Sequence, residues 1–234
     1  MPANEGLAMG SQVETSMQRK SLREIRSGQL GLFGRRQLEL YEESLQWTKK
    51  AGIIDNALKV GDRAPNFILP DAYGKFVSAH ELLKHGPLVL SFYRGSWCEF
   101  CVSELEALDH ALPDFVARAA SVVAVSPEIA EYPRQLLKQE RLSLTLLCDL
   151  DYGLSLSFGV LYYVPQSTQI RLIERGISLP KRHGTQTWML PVPATYVIDP
   201  SGVITAAYIN EDYTIRADIE FILSHLDQYP KPSA

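Results

Sequence analysis

The second part of the chain alternates between short apolar runs and amphipathic stretches. Residues 88–93 form an apolar run, interrupted only by Ser91, that is typical of a buried strand, and residues 103–119 carry apolar side chains at helical spacing. The same patterns predict strands at 121–125, 144–148, 194–199 and 203–208, and helices at 129–140 and 216–226. This order predicts an α/β fold whose central sheet has helices on both faces.

Turn residues refine this layout. Pro200, Ser201 and Gly202 separate the last two predicted strands, so these strands form a hairpin and the sheet is mixed. An earlier apolar stretch within 60–70 is followed by a turn at 71–74. Residues 162–188 fit no regular pattern and are interpreted as an insertion with one short helix at 168–175. The inward face of the 103–119 helix is expected to consist of Leu105, Leu108, Leu112, Phe115 and Val116.

The N-terminal part of the chain differs in character. Residues 1–36 are polar and mostly basic in charge, which indicates a partly ordered arm. Residues 37–50 predict a helix with Leu38, Tyr41 and Leu45 on one face, ended by Gly52. The sequence leaves open whether this helix packs on its own domain or on a partner chain. We therefore divide the chain into an N-terminal arm and helix, 1–56, and a main domain, 57–234.

Composition narrows the class of protein. Of the 234 residues, 46% are hydrophobic and 21% are charged, which excludes a largely disordered chain. The net charge of -4 argues against nucleic-acid binding. We expect no membrane span and no secretory signal. Three cysteines are too few for a disulfide framework and fit a reducing compartment, so we expect a cytoplasmic protein.

The pair Cys98 and Cys101 carries most of the chemical information. The pair follows the 88–93 strand and opens the next helix, where free N–H groups and the helix dipole stabilise a thiolate. A spacing of three places both sulfurs on one side of the first turn. One thiol can then attack an oxidised substrate and the other can close a disulfide. Trp97 is expected to shield the pair, and Arg94 to lower the thiolate pKa.

Two other interpretations of this pair remain open. A CxxC pair can be half of a zinc site, but Cys148 and the histidines supply no second ligand pair at the usual spacing. The pair can also be inert and buried. Cys148 itself is interpreted as a buried strand residue, with a second resolving thiol as the alternative. We expect neither a metal nor an organic cofactor.

Several motifs resemble the alkyl hydroperoxide reductase/thiol-specific antioxidant (AhpC/TSA) family, in its CxxC-bearing, peroxiredoxin-like branch. They are the active-site segment Phe92-Tyr-Arg-Gly-Ser-Trp-Cys-Glu-Phe-Cys101, the first-strand motif at 60–67, the segment 191–202 and Asp212-Tyr-Thr-Ile-Arg216. The resemblance covers about residues 57–228. It implies a thioredoxin fold with peroxiredoxin-type additions, preceded here by the N-terminal helical extension.

The resemblance also shows departures from the peroxidase pattern. Cys101 falls on the family's peroxidatic cysteine, and Glu104 matches the glutamate that follows it. Arg94 stands where the family has a proline, Cys98 where it has a threonine, and Pro193 where it has a distant arginine. The peroxide-activating set is therefore expected to be mostly missing, although Arg94 could replace the lost arginine.

The segment Pro193-Ala-Thr195 resembles the Pro-x-Thr motif of thioredoxins, in which a cis proline faces the CxxC pair. Thr195 completes that motif. We therefore predict that the Val192–Pro193 bond is cis and that Pro193 lies against the sulfurs.

These observations predict a thiol oxidoreductase in which Cys98 attacks a disulfide and Cys101 resolves the mixed disulfide. The first alternative is a thiol peroxidase with Cys101 peroxidatic and Cys98 resolving. The second is a non-catalytic redox sensor. The expected partners are a disulfide or hydroperoxide substrate and an external thiol reductant, and a homodimer is compatible with the sequence.

Overall fold

The fold is organised around a five-stranded mixed sheet. A computed structural model describes residues 22–32 and 34–229. The sheet strands, in chain order, are β3 (Leu88–Phe92), β4 (Ser121–Ser126), β5 (Thr145–Cys148), β8 (Ala194–Ile198) and β9 (Ile204–Ile209). Their spatial order is β5-β4-β3-β8-β9, with β3, β4 and β5 parallel and with β8 antiparallel to both of its neighbours. The predicted hairpin between the last two strands is confirmed.

Four shorter strands lie outside this sheet. One antiparallel pair is β1 (Ile68–Pro70) with β2 (Phe76–Ser78), and the other is β6 (Leu161–Tyr163) with β7 (Met189–Pro191). The second pair closes the predicted insertion at its base. Within that insertion are α9 (Gln166–Glu174) and α10 (Leu179–His183), so the insertion is more regular than its sequence indicates.

Helices cover both faces of the sheet, as the alternating pattern predicts. The remaining helices are α1 (Leu22–Gly31), α2 (Arg35–Lys50), α3 (Ile53–Asn56), α4 (Ala79–Leu83), α5 (Glu99–His110), α6 (Leu112–Val116), α7 (Glu131–Gln139), α8 (Gly153–Ser157) and α11 (Ile219–Leu226). On one face, a cluster that includes Leu105, Leu136 and Ile222 packs under α5, α7 and α11. On the other face, Phe92 and Phe158 belong to a second cluster. The predicted α/β thioredoxin-type architecture is confirmed.

One predicted helix, 103–119, differs from the structure. It begins earlier, just after Cys98, and is interrupted near Pro113, where the separate helix α6 starts. Proline is tolerated in the first turn of a helix but not in its interior, so the chain restarts there. Because of this break, Val116 turns outward and is 69% exposed, and its expected place in the core is wrong.

The N-terminal helices pack on the main domain of the same chain. The predicted 37–50 helix corresponds to α2, although Leu38 lies at the surface rather than on a buried face. Helix α1 falls within the segment expected to be a partly ordered arm, and residues 1–21 lie outside the described residues. Gln29 of α1 donates to Ser103 of α5 over 2.9 Å. The division of the chain at residue 56 stays a prediction.

Within residues 22–32 and 34–229, every helix is too short or too polar to cross a lipid bilayer.

Candidate active site

Cys98 and Cys101 lie where strand β3 gives way to helix α5. Cys98 is the N-cap residue, and its carbonyl accepts the first hydrogen bond of the helix from the Cys101 N–H, over 2.9 Å. Both thiols are free. Cys98 is 4% exposed and Cys101 is fully buried. The parallel strand and the helix start thus place both sulfurs at the positive end of the helix dipole.

The two sulfurs differ in their acidity. Burial would raise the pKa of Cys98, but a hydrogen bond from the Cys101 thiol and the charges of Arg94 and Arg216 outweigh it and lower that pKa to about 5. For Cys101, burial raises the pKa and the neighbouring Cys98 thiolate raises it further. Cys98 is therefore the more acidic of the two thiols, and Cys101 the less acidic.

Arg216 is the functional residue that the sequence interpretation did not assign. Its Nη2 donates to the Cys101 sulfur over 3.1 Å, and its Nε donates to Glu104 over 2.7 Å. Both charged side chains are 3% exposed. The Asp212-to-Arg216 motif was noticed only as a family signature. Of the peroxide-activating set that was expected to be mostly missing, an arginine is supplied by Arg216 from a different segment of the chain, whereas Arg94 and Cys98 still occupy the family's proline and threonine positions.

Glu104 and Thr195 form a buried polar group behind Cys101. Glu104 accepts hydrogen bonds from Thr195 over 3.2 Å and from Ser91 over 3.4 Å. Burial raises the pKa of Glu104, and its bond to Arg216 opposes that shift. Thr195 thus orients the glutamate that orients Arg216, and the structure gives it no hydrogen bond to either sulfur.

Pro193 does not have the predicted geometry. The Val192–Pro193 bond is trans, like every peptide bond in the described part of the chain. Pro193 is buried between β7 and β8, and Val192 donates to the Val160 carbonyl over 2.8 Å. The cis-proline argument for disulfide exchange is therefore wrong.

Arg94 lies beside both cysteines. Its Nη1 is 4.0 Å from the Cys98 sulfur, and its backbone N–H donates to the Cys101 sulfur over 3.4 Å. The guanidinium stacks on Tyr213, 4.1 Å from the ring centroid, and on Trp97, 4.8 Å away. Arg94 is 4% exposed, and none of the ion pairs among the described residues involves it. Its charge is available to the thiolate.

A second buried acid holds the loop before Cys98. Glu128, at the carboxyl end of β4, accepts from the Ser96 N–H over 2.7 Å and from Arg182 over 2.8 Å. Gly95 has a φ of 148°, and a Cβ there would lie 2.4 Å from the Trp97 ring nitrogen. The sequence signal for this support is an acidic residue two positions after a buried strand, which the sequence interpretation did not use.

A pocket with a cavity volume of about 80 Å³ opens onto Cys98. Its inner wall contains Arg94, Trp97, Phe100 and Tyr213, and Cys98 lies among them. Helices α2 and α9 supply the remaining lining residues, which are Tyr41, Ser44, Thr168, Arg171, Leu172 and Arg175, together with Glu99 of α5. Cys101 does not line this space. The predicted shielding by Trp97 is thus one side of a larger pocket.

Cys148 lies apart from this pocket. It ends β5 opposite Ser126, is 1% exposed, and has a pKa that burial raises to about 11. This placement fits the interpretation as a buried strand cysteine. In the described residues, no group of three or more His, Cys, Asp or Glu side chains is arranged to hold a metal ion.

Comparison with known proteins places this site in context. The model of the AhpC/TSA family matches residues 60–207. A Helicobacter pylori protein named peroxiredoxin bcp is 34% identical over 94 residues, which are 40% of this chain and 61% of that protein. The thiol-disulfide oxidoreductase ResA of Bacillus cereus is 22% identical over 134 residues, which are 57% of this chain and 75% of that protein.

The fold has a solved counterpart. The peroxidoxin BcpB of Mycobacterium tuberculosis superimposes with a TM-score of 0.59 at 21% identity, over 74% of this chain and 99% of that chain. At this identity the likeness shows the fold alone. This chain spans about three fifths of the length of the bcp relative, 61%.

Proposed function

This chain belongs to the AhpC/TSA family, and from that premise we propose that it is a thiol-dependent oxidoreductase that reduces small organic hydroperoxides. In this proposal Cys98 is the attacking thiolate and Cys101 is the resolving thiol. An external thiol reductant returns the dithiol. The catalytic unit is residues 57–234, and helix α2 completes the substrate pocket.

The observation that carries the proposal is the position of Cys98 at the floor of a pocket. Cys98 lines the space and is 4% exposed, whereas Cys101 is fully buried behind it. A recessed sulfur excludes a bulky protein disulfide but admits a small molecule. The mostly apolar and aromatic inner wall favours an organic substrate.

The chemistry uses the neighbouring charges. The Cys98 thiolate attacks the hydroperoxide, so that an S–O bond forms, the O–O bond breaks, and the alkoxide leaves and takes a proton from water. Arg94, 4.0 Å from the sulfur, stabilises the negative charge as it moves from sulfur to oxygen. The Cys101 thiol then condenses with the Cys98 sulfenic acid, which forms the disulfide and releases water. Two electrons from the external thiol restore both cysteines.

Single cysteine variants test this order of events. After one equivalent of cumene hydroperoxide, we expect Cys101→Ser to keep a sulfenic acid on Cys98, which dimedone traps and mass spectrometry locates. Cys98→Ser should form none. The matched control Cys148→Ser should form the Cys98–Cys101 disulfide like the parent protein. A sulfenic acid on Cys101 in Cys98→Ser would reverse the roles, as the hydrogen bond from Arg216 to Cys101 favours.

Thiol-disulfide exchange is the second candidate. The CxxC spacing and the likeness to ResA support it, and a small disulfide would fit the same pocket. Steady-state rates with cumene hydroperoxide and with oxidised glutathione, at equal excess of dithiothreitol, separate the two activities. A higher kcat/KM for oxidised glutathione would replace the peroxidase proposal. Stoichiometric oxidation without turnover of either would indicate a redox sensor.

A further inference from the structure

Helix α9 of the insertion contributes to the lining of the pocket. The proposed chemistry gives the insertion no role. Helix α9 turns one face toward the pocket, with Thr168, Arg171, Leu172 and Arg175 at spacings of three and four. The apolar residues Ile170 and Ile173 of the same helix point to solvent. Two guanidinium groups one turn apart thus border the opening that leads to Cys98.

Among the described residues, the ion-pair partners of these two arginines are exposed carboxylates. Arg171 is 3.3 Å from Glu43 of α2, and Arg175 is 3.8 Å from Glu99 of α5. The four side chains are between 32% and 62% exposed. Exposed ion pairs of this kind contribute about 0–1 kcal/mol, so a ligand carboxylate can replace either glutamate at little cost.

The inner end of the pocket offers different chemistry. Its walls are aromatic, and the charge of Arg94 is matched there by the Cys98 thiolate. The inner end therefore suits an uncharged part of a ligand. The outer arginines are planar double donors that match a carboxylate.

From this polarity we propose that the pocket binds organic carboxylates, with the carboxylate on Arg171 and Arg175 and the apolar chain directed toward Cys98. One consequence rests on the proposed function. If the chain reduces hydroperoxides, its preferred substrate is one that carries a carboxylate, such as a fatty-acid hydroperoxide. The binding itself can be tested without turnover.

The binding test compares octanoate with its uncharged counterpart octanamide, by calorimetry on the reduced protein. We expect octanoate to bind about tenfold more tightly. In Arg171→Gln/Arg175→Gln the ratio of the two affinities should fall to about one. The control Arg118→Gln/Arg134→Gln removes the same charge far from the pocket and should keep the parent ratio; Arg118 is likewise ion-paired, with Asp227 at 2.8 Å.

Two further readouts locate the site. Glu43→Gln releases Arg171 and should tighten octanoate binding without changing octanamide binding. Octanoate should also slow alkylation of Cys98, because it occupies the space in front of that sulfur. Equal binding of the two ligands, no binding of either, or the same loss in the control double variant would overturn the inference and leave the arginines as stabilisers of the helix C-terminus.

A turnover measurement then connects the site to the reaction. The kcat/KM for linoleic acid hydroperoxide should exceed that for its methyl ester in the parent protein, and the ratio should fall about tenfold in Arg171→Gln/Arg175→Gln. Octanoate binding without reduction of any hydroperoxide would contradict the proposed peroxidase activity and would still support the carboxylate site. Equal reduction of the fatty acid hydroperoxide and its methyl ester would contradict the carboxylate site and would support the peroxidase activity.

Discussion

The reactivity of Cys98 and Cys101 depends on which of the two sulfurs holds the proton that they share. Cys98 is the acidic partner because the Cys101 thiol donates to it and two arginines face it. We predict that the alkylation rate of Cys98 by iodoacetamide is constant above about pH 6 and falls tenfold per pH unit below pH 5. Cys101→Ala removes the donor and should move the midpoint to higher pH. Mass spectrometry of the modified cysteine measures it, and a midpoint near the ordinary cysteine value, about 8.5, would contradict the assignment.

The buried ion pair between Arg216 and Glu104 contributes to the free energy of unfolding. Removing one member of a buried ion pair leaves an unpaired charge, which costs about 3–5 kcal/mol. We predict this loss for Arg216→Met in urea unfolding of the reduced protein. The double variant Glu104→Gln/Arg216→Met should recover part of it, because no charge is then left unpaired. A single variant as stable as the double would show that Glu104 is not ionised in the folded protein.

At the scale of elements, the N-terminal helices are fastened to the segment that carries Arg216. Asp212 accepts from Arg26 of α1 over 2.9 Å and also from Tyr41 of α2. Next to it, Thr48 donates to the Glu211 carbonyl over 3.1 Å. Because Tyr213 of the same segment stacks on Arg94, this contact joins the helices to the dithiol.

Weakening that contact should let helices α1 and α2 open locally at a lower free energy than global unfolding of the main domain. In Arg26→Ala/Tyr41→Phe we predict faster hydrogen exchange across residues 22–50, with the free energy of global unfolding lowered by about 1–3 kcal/mol. Arg23→Ala, which breaks an exposed ion pair of the same helix with Asp218, is the control and should leave the exchange unchanged. Exchange that rises equally across the central sheet would mean that the helices do not open separately.

At the scale of the whole molecule, a buried histidine couples stability to pH. His183 is 1% exposed and its Nδ1 lies 3.0 Å from the Tyr152 hydroxyl, while its Nε2 has no hydrogen-bond partner among the described residues. Burial, with the charge of Arg182, lowers its pKa to about 4. The unfolded chain therefore takes up a proton at a higher pH than the folded protein.

The sign of this linkage gives a prediction. The pKa of His183 in the folded protein lies below its unfolded value of about 6.5. The contribution of neutral His183 to folding stability is therefore complete above pH 6.5 and is lost as the pH falls toward about 4. The total loss is about 3 kcal/mol. His183→Gln should flatten the pH dependence of urea unfolding between pH 7 and 4.5, and His85→Gln, at an exposed position, should not. An unchanged slope in His183→Gln would place the linkage elsewhere.

The sequence by itself determined the elements and the reactive pair. Apolar periodicity located the five sheet strands, and turn residues located the hairpin at Pro200 to Gly202, because these signals act over a few neighbouring residues. The position of Cys98 and Cys101 at a helix start is equally local. Even the break at Pro113 had a local signal, which the interpretation of one long helix overlooked.

Only the tertiary structure decided what surrounds the pair. Arg216 reaches Cys101 across 115 residues, Tyr41 reaches Asp212 across 171, and Glu104 meets Thr195 across 91. The Val192–Pro193 bond is trans, whereas the motif alone favoured cis. Spacing along the chain carries no information about such contacts, because the sheet order brings distant segments together and burial then fixes which charges must pair.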